Sequence, residues 1–384
     1  MTTQNGNNRD SATAINAERL TWVEIDTDAL ASNVRLIKSF IGPDVALMAV
    51  VKADAYGHGA VQAARIALLN GATYIGVSSI DEALVLRAAG IDGPIIALNF
   101  TPPHRLVDAL HHDITLALYD LDIAHAYNRI ARELKQTVRV HFKIDTGMGR
   151  LGVLPQQVEP AFQEILKLDG IHVEGIYTHF SVADEDADYT RQQFNTFTAL
   201  VDYLKATTGY DFRYIHAANS AGTLRHPDMH LNMVRTGIAM FGMHPSDDVR
   251  LPAGFRPVMG WKTMVAQVKT LPPGHAIGYG NTYITSTEER IAILPVGYAD
   301  GFRRTPFTWR EVLIRGRRAP LVGRVSMEKS AVSVSHIPDV QIGDEVVLLG
   351  SQDGDTLTAE EIASHMQTIN YELTCTILPR IPRR

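Results

Sequence analysis

From about residue 45 the chain alternates regularly. Short apolar, β-branched runs are followed by stretches whose apolar positions recur at helical spacing. The runs are VALMAVV (45–51), TYIGVS (73–78), PIIALN (94–99), ITLAL (114–118), VRVHFKI (138–144), HVEGIYT (172–178), RYIHA (213–217) and MVRTGIAM (233–240). Between them, residues 60–70 and 188–206 read as helices. Ser79-Ile80-Asp81-Glu82 opens another helix as a capping box, and Gly90 closes it. Eight strands alternating with helices over roughly 200 residues predict an α/β fold, a (β/α)8 barrel of the TIM type. An open doubly wound sheet is the alternative, because periodicity does not reveal closure.

Near residue 250 the texture changes. Pro252, Gly254, Pro257, Pro272, Pro273 and Gly274 punctuate the chain, and the strand-like runs MVAQVKTL, RIAILPVGY, EVLIRG, RAPLVGRV, SAVSVS and DEVVLLG follow with turns between them. With one helix around 358–367, this predicts a mostly antiparallel β domain. The early run TWVEID (21–26) lies outside the regular alternation and is expected to join that domain. The expected division is a disordered tail over 1–17, a strand over 18–26, a barrel over 27–250 and a β domain over 251–384.

Composition narrows the function class. Apolar residues make up 45% and charged residues 20%, as in ordinary globular proteins. A net charge of -6 gives no basic surface for nucleic acid. The single cysteine, Cys375, excludes an intrachain disulfide and a cysteine-rich metal site, and no metal is expected. The polar N-terminus lacks the apolar stretch of a signal peptide, and no run approaches the ~18 apolar residues of a membrane span. The expectation is a cytoplasmic enzyme with no membrane partner.

The first candidate for chemistry is Lys52, in VVKADAYGHG (50–59). It closes the first barrel strand, at the face where barrels carry their active sites. A lysine there is usually a solvated rim residue; partly desolvated, its amine becomes a nucleophile for carbonyls. Gly57-His58-Gly59 does not continue as a dinucleotide loop, because the third glycine of that pattern would fall at Gln62.

AVVKADAYGHG resembles the lysine signature of alanine racemases, fold-type III enzymes that use pyridoxal 5′-phosphate (PLP). KIDTGMGRLG (143–152), THF (178–180), ANSAG (218–222), VRTGIAMFG (234–242), IGYGNTY (277–283), PVGYADG (295–301), GRVSME (323–328) and INYELTC (369–375) resemble further segments of that family, in the same order. The resemblance implies a PLP barrel followed by a β domain, and a homodimer that racemises alanine and supplies D-alanine for peptidoglycan. Lys52 is then the Schiff-base lysine. Tyr56, Asn219, Ser220, Gly237, Ile238 and Tyr371 belong to cofactor binding, largely around the phosphate. The periodicity alone puts Ser220 after the seventh strand, where it also reads as a helix N-cap, and Gly237 and Ile238 within the eighth.

The resemblance sets Arg235 against the pyridine nitrogen, with His179 in its network. Arginine only donates, so the ring nitrogen must accept and stay unprotonated, which weakens the electron sink. Racemisation needs an acid and a base on opposite faces of one carbon. The resemblance supplies Lys52 for one face and Tyr279, from the second subunit, for the other. Arg150 and the Met327 amide are assigned to the substrate carboxylate, Tyr298 to the substrate entrance, and Lys143 to a carbamylated lysine that holds Arg150. One departure concerns Ser326-Met327-Glu328, where the family usually shows Cys-Met-Asp. It leaves open a racemase of broader range, accepting serine or longer amino acids. A PLP-binding barrel without catalysis is usually one short domain, which residues 255–384 with Tyr279 argue against. A fold-type III decarboxylase would carry a glycine-rich phosphate loop where this chain has ANSAG.

Overall fold

The computed structural model describes residues 19–305 and 308–384; the tail expected over 1–17 lies outside the described residues. The chain forms two compact units, Thr27–Arg256 and Pro257–Arg384, the latter joined by the chain up to Asp26. β1 (Trp22–Ile25) is the strand that the second unit takes from the N-terminal side.

In the first unit, β2 (Ala46–Val50), β3 (Tyr74–Val77), β4 (Ile95–Ala97), β5 (Ile114–Leu118), β6 (Val138–Lys143), β7 (Ile171–Tyr177), β8 (Tyr214–His216) and β9 (Met233–Thr236) are the eight expected strands. All neighbours run parallel, and β9 bonds back to β2 from Ala46↔Met233 to Ala49↔Thr236. The sheet is therefore a closed barrel, and the open doubly wound alternative is excluded. Closure explains the near-continuous apolar runs: strands such as Tyr74–Val77 are buried along their whole length. One irregularity sits between β6 and β7. Val140 pairs with Val173 but His141 with Gly175, so Glu174 is the extra residue of a bulge.

The helices follow their sequence signals closely. Ala60–Leu69 and Ala187–Thr208 occupy the expected stretches. The helix Ile80–Ala88 is capped by Ser79, whose hydroxyl accepts from the Glu82 amide at 3.3 Å. The reciprocal half of the capping box is not made. The Glu82 carboxylate accepts instead from the amides of Ser78 and Ala53, each at 2.7 Å.

The second unit is mostly antiparallel β. Its larger sheet contains β1, β10 (Met259–Met264), β15 (Glu311–Ile314), β16 (Arg317–Pro320), β18 (Glu345–Gln352) and β19 (Asp355–Leu357). Its three-stranded sheet orders β11 (Gln267–Leu271), β14 (Glu289–Leu294) and β17 (Ser330–Ser333), and a small hairpin pairs β12 (Ala276–Ile277) with β13 (Tyr283–Ile284). The run MVAQVKTL is thus not one strand: Met264 ends β10 and Gln267 starts β11. Besides the expected helix, here Ala359–His365, a second one spans Asn370–Cys375, too short for periodicity to register.

An aromatic cluster anchors this unit. Trp309 lies 5.3 Å from Trp261 and 5.0 Å from Phe302, ring to ring, and its indole donates to Leu348 O at 2.6 Å. Replacing a buried ring of this size leaves a cavity and an unpaired carbonyl. Trp309→Ala is expected to cost about 3–5 kcal/mol, read as a lower denaturant midpoint by circular dichroism. An unchanged midpoint would remove the cluster from the account of stability.

Candidate active site

The chain leaves β2 at Val50 and turns in an unusual way just beyond Lys52. Ala53, Asp54, Ala55 and Tyr56 have φ of 53°, 52°, 55° and 55°, and Gly57 follows at 84°. This is a turn of left-handed helix, and each non-glycine residue in it costs on the order of 1–2 kcal/mol. Three side chains hold it in place. Glu82 takes the Ala53 amide, Asp54 takes the Ala60 amide at 2.7 Å, and His58 Nδ1 lies 2.9 Å from Ala55 O and 3.1 Å from Tyr56 O. The buried His58 ring stacks on Phe241 at 4.2 Å.

The turn carries Tyr56 to Gly237. A Cβ at Gly237 would meet the Tyr56 hydroxyl at 2.3 Å, so only glycine admits this approach. Gly237 and Ile238 lie just past β9, not inside it: the strand ends at Thr236, and Ile238–Phe241 coil into a 3-10 turn. That bend directs the amides of Gly237 and Ala239 at the Ser220 hydroxyl, 3.1 and 3.4 Å away. Ser220 is not the helix cap. Asn219 caps Ser220–Arg225, its side chain accepting from Gly222 N at 2.9 Å, which leaves the serine hydroxyl to the amides.

Arg235 is buried in β9. Its Nη1 donates to His216 Nδ1 at 3.0 Å, and the two hydrogens of its Nη2 are shared among Thr178 O, Ala217 O and His179 Nδ1 at 2.9–3.0 Å. Among the described residues, none accepts from its Nε. Burial and the surrounding cations, Arg235 first among them, push His179 well below its ordinary pKa, so it is neutral. With Nδ1 accepting, the His179 proton sits on Nε2.

Lys143 ends β6 and is buried. Burial, then Arg235 and Arg150, push its pKa down to about 8, against a smaller opposing pull from Asp145; Lys52 adds to the lowering. The loop from Lys143 to Arg150 is set by Asp145. Its Oδ1 accepts from the amides of Gly147, Met148 and Gly149 at 2.8–3.1 Å, and its Oδ2 from Arg150 N at 3.1 Å. Burial works against ionisation of Asp145, but these amides outweigh it and hold the pKa low. Gly152, at φ 132°, lets the loop return, because a Cβ there would fall 2.5 Å from Asp145 N. Arg235, Arg150 and Lys52 thus all bear on Lys143 at the barrel mouth, and both oxygens of the neighbouring Asp145 carboxylate are taken by backbone amides.

The remaining candidates lie in the second unit. Tyr279 opens a short turn in the β12–β13 hairpin, 67% exposed, with the Arg304 guanidinium 5.8 Å from its ring centre. Tyr298 and Met327 are neighbours through backbone bonds: Tyr298 N donates to Ser326 O and Ala299 N to Met327 O. The Met327 amide donates to no described group. Glu328 bonds Arg380 at 2.6 Å. Tyr371 sits in the helix Asn370–Cys375, and the adjacent cleft is lined by Tyr298, Arg303, Arg304 and Glu372.

Sequence reasoning overlooked three interior residues, His141, Glu174 and His216, each nearly inaccessible to solvent. A signal was present: each interrupts the apolar part of its strand, in VRVHFKI, HVEGIYT and RYIHA.

Residues 25–245 match the family described as "Alanine racemase, N-terminal domain", and residues 258–384 match "Alanine racemase, C-terminal domain". The alanine racemase of Desulfovibrio desulfuricans is 43% identical over 96% of this chain and 99% of its own. That of Symbiobacterium thermophilum is 45% identical over 95% and 97%. Among solved structures, alanine racemase from Clostridium difficile superimposes with a TM-score of 0.89 at 40% identity, covering 95% of each chain. The Bacillus anthracis alanine racemase, solved with bound L-Ala-P, gives 0.89 at 40% identity over 95% and 94%.

The depressed Lys143 amine has a consequence for stability. Below about pH 8 the amine is charged in both states, and burial penalises the folded one. Between about pH 8 and the ordinary lysine value of 10.5 the unfolded chain keeps a proton that the folded chain has lost, so stability rises with pH across that window. In carbon-dioxide-free buffer, without cofactor, the parent chain should gain stability relative to Lys143→Met as pH rises from 8 toward 10. Parallel denaturation curves for the two proteins would contradict the assignment.

Proposed function

The chain belongs to the alanine racemase family and is an amino-acid racemase, and on that premise we propose that it interconverts L- and D-alanine with PLP in a homodimer of shared active sites. The observation that carries this reading is the barrel mouth around Lys52, where cations and amide donors gather and the mouth's own carboxylate is already engaged. Such a set suits a phosphorylated cofactor and a carboxylate substrate.

The residues present fit PLP. Lys52 would bond it covalently. Tyr56, Ser220 with its neighbour Asn219, the amides at Gly237 and Ile238, and Tyr371 would hold its phosphate. The Arg235 Nε–H would face the ring nitrogen. The cofactor supplies an electron sink that acidifies the hydrogen on the amino acid's α-carbon.

The chain's own residues divide the rest of the work. Arg150, held by Asp145, and the Met327 amide bind the substrate carboxylate and orient the α-carbon between two groups. The Lys52 amine exchanges the proton on one face, and the hydroxyl of Tyr279 of the partner subunit exchanges it on the other. Tyr298 lines the way in. Arg235, a donor that cannot lose its proton, would keep the ring nitrogen of the bound cofactor unprotonated and so restrain side reactions. The D-alanine produced in the cytoplasm would serve bacterial peptidoglycan. Glu328 is held by Arg380, and the neighbouring Met327 amide is left for the carboxylate that every amino-acid substrate carries.

Initial rates with alanine, serine and lysine test the substrate; absence of turnover on alanine would overturn the reading. Lys52→Ala should lose the visible absorption band of the loaded enzyme. A mixture of Lys52→Ala and Tyr279→Phe chains should regain activity that neither has alone, since mixed dimers rebuild one intact site. No recovery would count against shared sites.

Lys143 belongs to the same proposal as a carbamylated residue. Its neutral amine, made accessible by the lowered pKa, adds to carbon dioxide and releases one proton, leaving a carbamate. The new negative charge would face Arg150 and hold it. Intact mass in bicarbonate buffer should rise by one carbon dioxide in the parent chain and not in Lys143→Met. An unmodified mass for both would dismiss the modification.

A further inference from the structure

Beneath Arg235 the barrel interior is polar where barrels usually carry branched apolar side chains. Among the described residues no carboxylate pairs with Arg235, and a buried guanidinium without a counter-charge is costly. Its hydrogen bonds impose an order on what lies below. A guanidinium has only donors, so His216 Nδ1 must accept, and the His216 proton sits on Nε2. That nitrogen lies 2.8 Å from His141 Nδ1. His141 Nδ1 must accept in turn, which puts its proton on Nε2. Facing that nitrogen is Glu174 Oε2 at 3.5 Å, an electrostatic contact beyond hydrogen-bond geometry, and His141 Nε2 has no hydrogen-bond partner among the described residues.

The chain therefore runs one way, from Arg235 through His216 and His141 to Glu174. A doubly protonated imidazole at either step would set two donors against each other. The pKa directions agree. Burial and Arg235 hold His216 well below its ordinary value, and burial lowers His141 although Glu174 pulls the other way. The Tyr177 ring stacks flat on His216 at 4.8 Å.

Two backbone features serve this pairing. Glu174 is the bulge residue of β7, the device by which strands re-aim a side chain. The next residue is Gly175, where a Cβ would lie 2.9 Å from the His141 ring. Around Glu174 stand the Tyr74 hydroxyl at 3.0 Å, Arg213 at 3.4 Å and, further off, Arg139. Arg213 approaches with a side chain that is 70% exposed, and a pair of that kind contributes little.

We propose that Glu174 is a positioning residue, the remote counter-charge of Arg235, acting through His141 and His216 to hold Arg235 in one protonated orientation toward the cofactor ring. The role toward the ring rests on the PLP reading above; the hydrogen-bond order does not.

The test begins with cofactor-free protein carrying 15N-histidine, its resonances assigned with His141→Gln and His216→Gln. Both residues should show a protonated Nε2 and an unprotonated Nδ1, unchanged across the range where free imidazole titrates, about pH 5–8. Glu174→Gln should shift the His216 nitrogen resonances although the two residues do not touch. Gly175→Ala, which crowds His141, should do the same. Tyr74→Phe removes a bond to the same carboxylate but keeps its charge, and should leave His216 unmoved. In loaded enzyme, Glu174→Gln should lower kcat roughly 10–100-fold, the range met when a partner orienting a functional group is removed, with alanine KM unchanged. A proton on Nδ1 of either histidine overturns the proposal. So does a folded Glu174→Gln protein with parental His216 resonances and kcat. If Glu174→Gln does not fold, the parental tautomers and Gly175→Ala decide. A parent chain with these tautomers but no racemase activity would reject the proposed function and leave the chain of bonds standing.

Discussion

A buried positive charge that cannot be neutralised organises this barrel. Arg235 can give up none of its protons at physiological pH, and burial lowers its pKa only to about 10. Every group that touches it must therefore accept. Two carbonyls at the ends of β7 and β8 do so, and so do two imidazoles whose tautomers are thereby decided. Constraint flows outward from there: His179 keeps its proton on the far nitrogen, and His216 passes the requirement to His141.

Lys52 depends on a second constraint, one of backbone rather than charge. An ordinary right-handed turn after β2 would not bring Tyr56 against Gly237. The left-handed turn does, at a conformational cost that local bonds must offset. Glu82 is the clearest strut, because it leaves its capping partner to hold the Ala53 amide. Strain of this kind persists only where its surroundings over-determine it, and such places are commonly functional. The lysine therefore sits at the start of a rigid, expensive turn and not on a loose rim.

Much of this was legible in the chain. The alternation of apolar runs located all eight barrel strands, since most of these runs are buried on both faces. Closure was not legible, because the β9–β2 bonds join segments nearly 190 residues apart in sequence and leave no periodic trace. The cap of Ile80–Ala88 was read correctly in Ser79 and incorrectly in Glu82, whose second partner lies on another element. Ser220 was read as a cap that Asn219 supplies, a choice between adjacent residues that only backbone dihedrals decide. The polar interior was missed for a different reason. His141, Glu174 and His216 each look like a stray polar position in a strand, and their meaning is pairwise.

The same electrostatic logic explains why the mouth favours anions. Arg235, Arg150 and Lys52 all work against the charge on Lys143. Asp145 relieves Lys143 only in part, and four amides already occupy its oxygens. Neutral His179 adds a donor but no negative charge. Relief has to come from what binds: a phosphate, a substrate carboxylate, or a carboxyl group added to Lys143. The last changes the balance most for its size, since it turns one of the four cations into an anion. A lysine in that position is useful because its amine, pushed down to about 8, can lose its proton near neutral pH. An arginine there would keep its charge, repel Arg150 and leave the loop shaped by Asp145 without an anion to hold its terminal guanidinium.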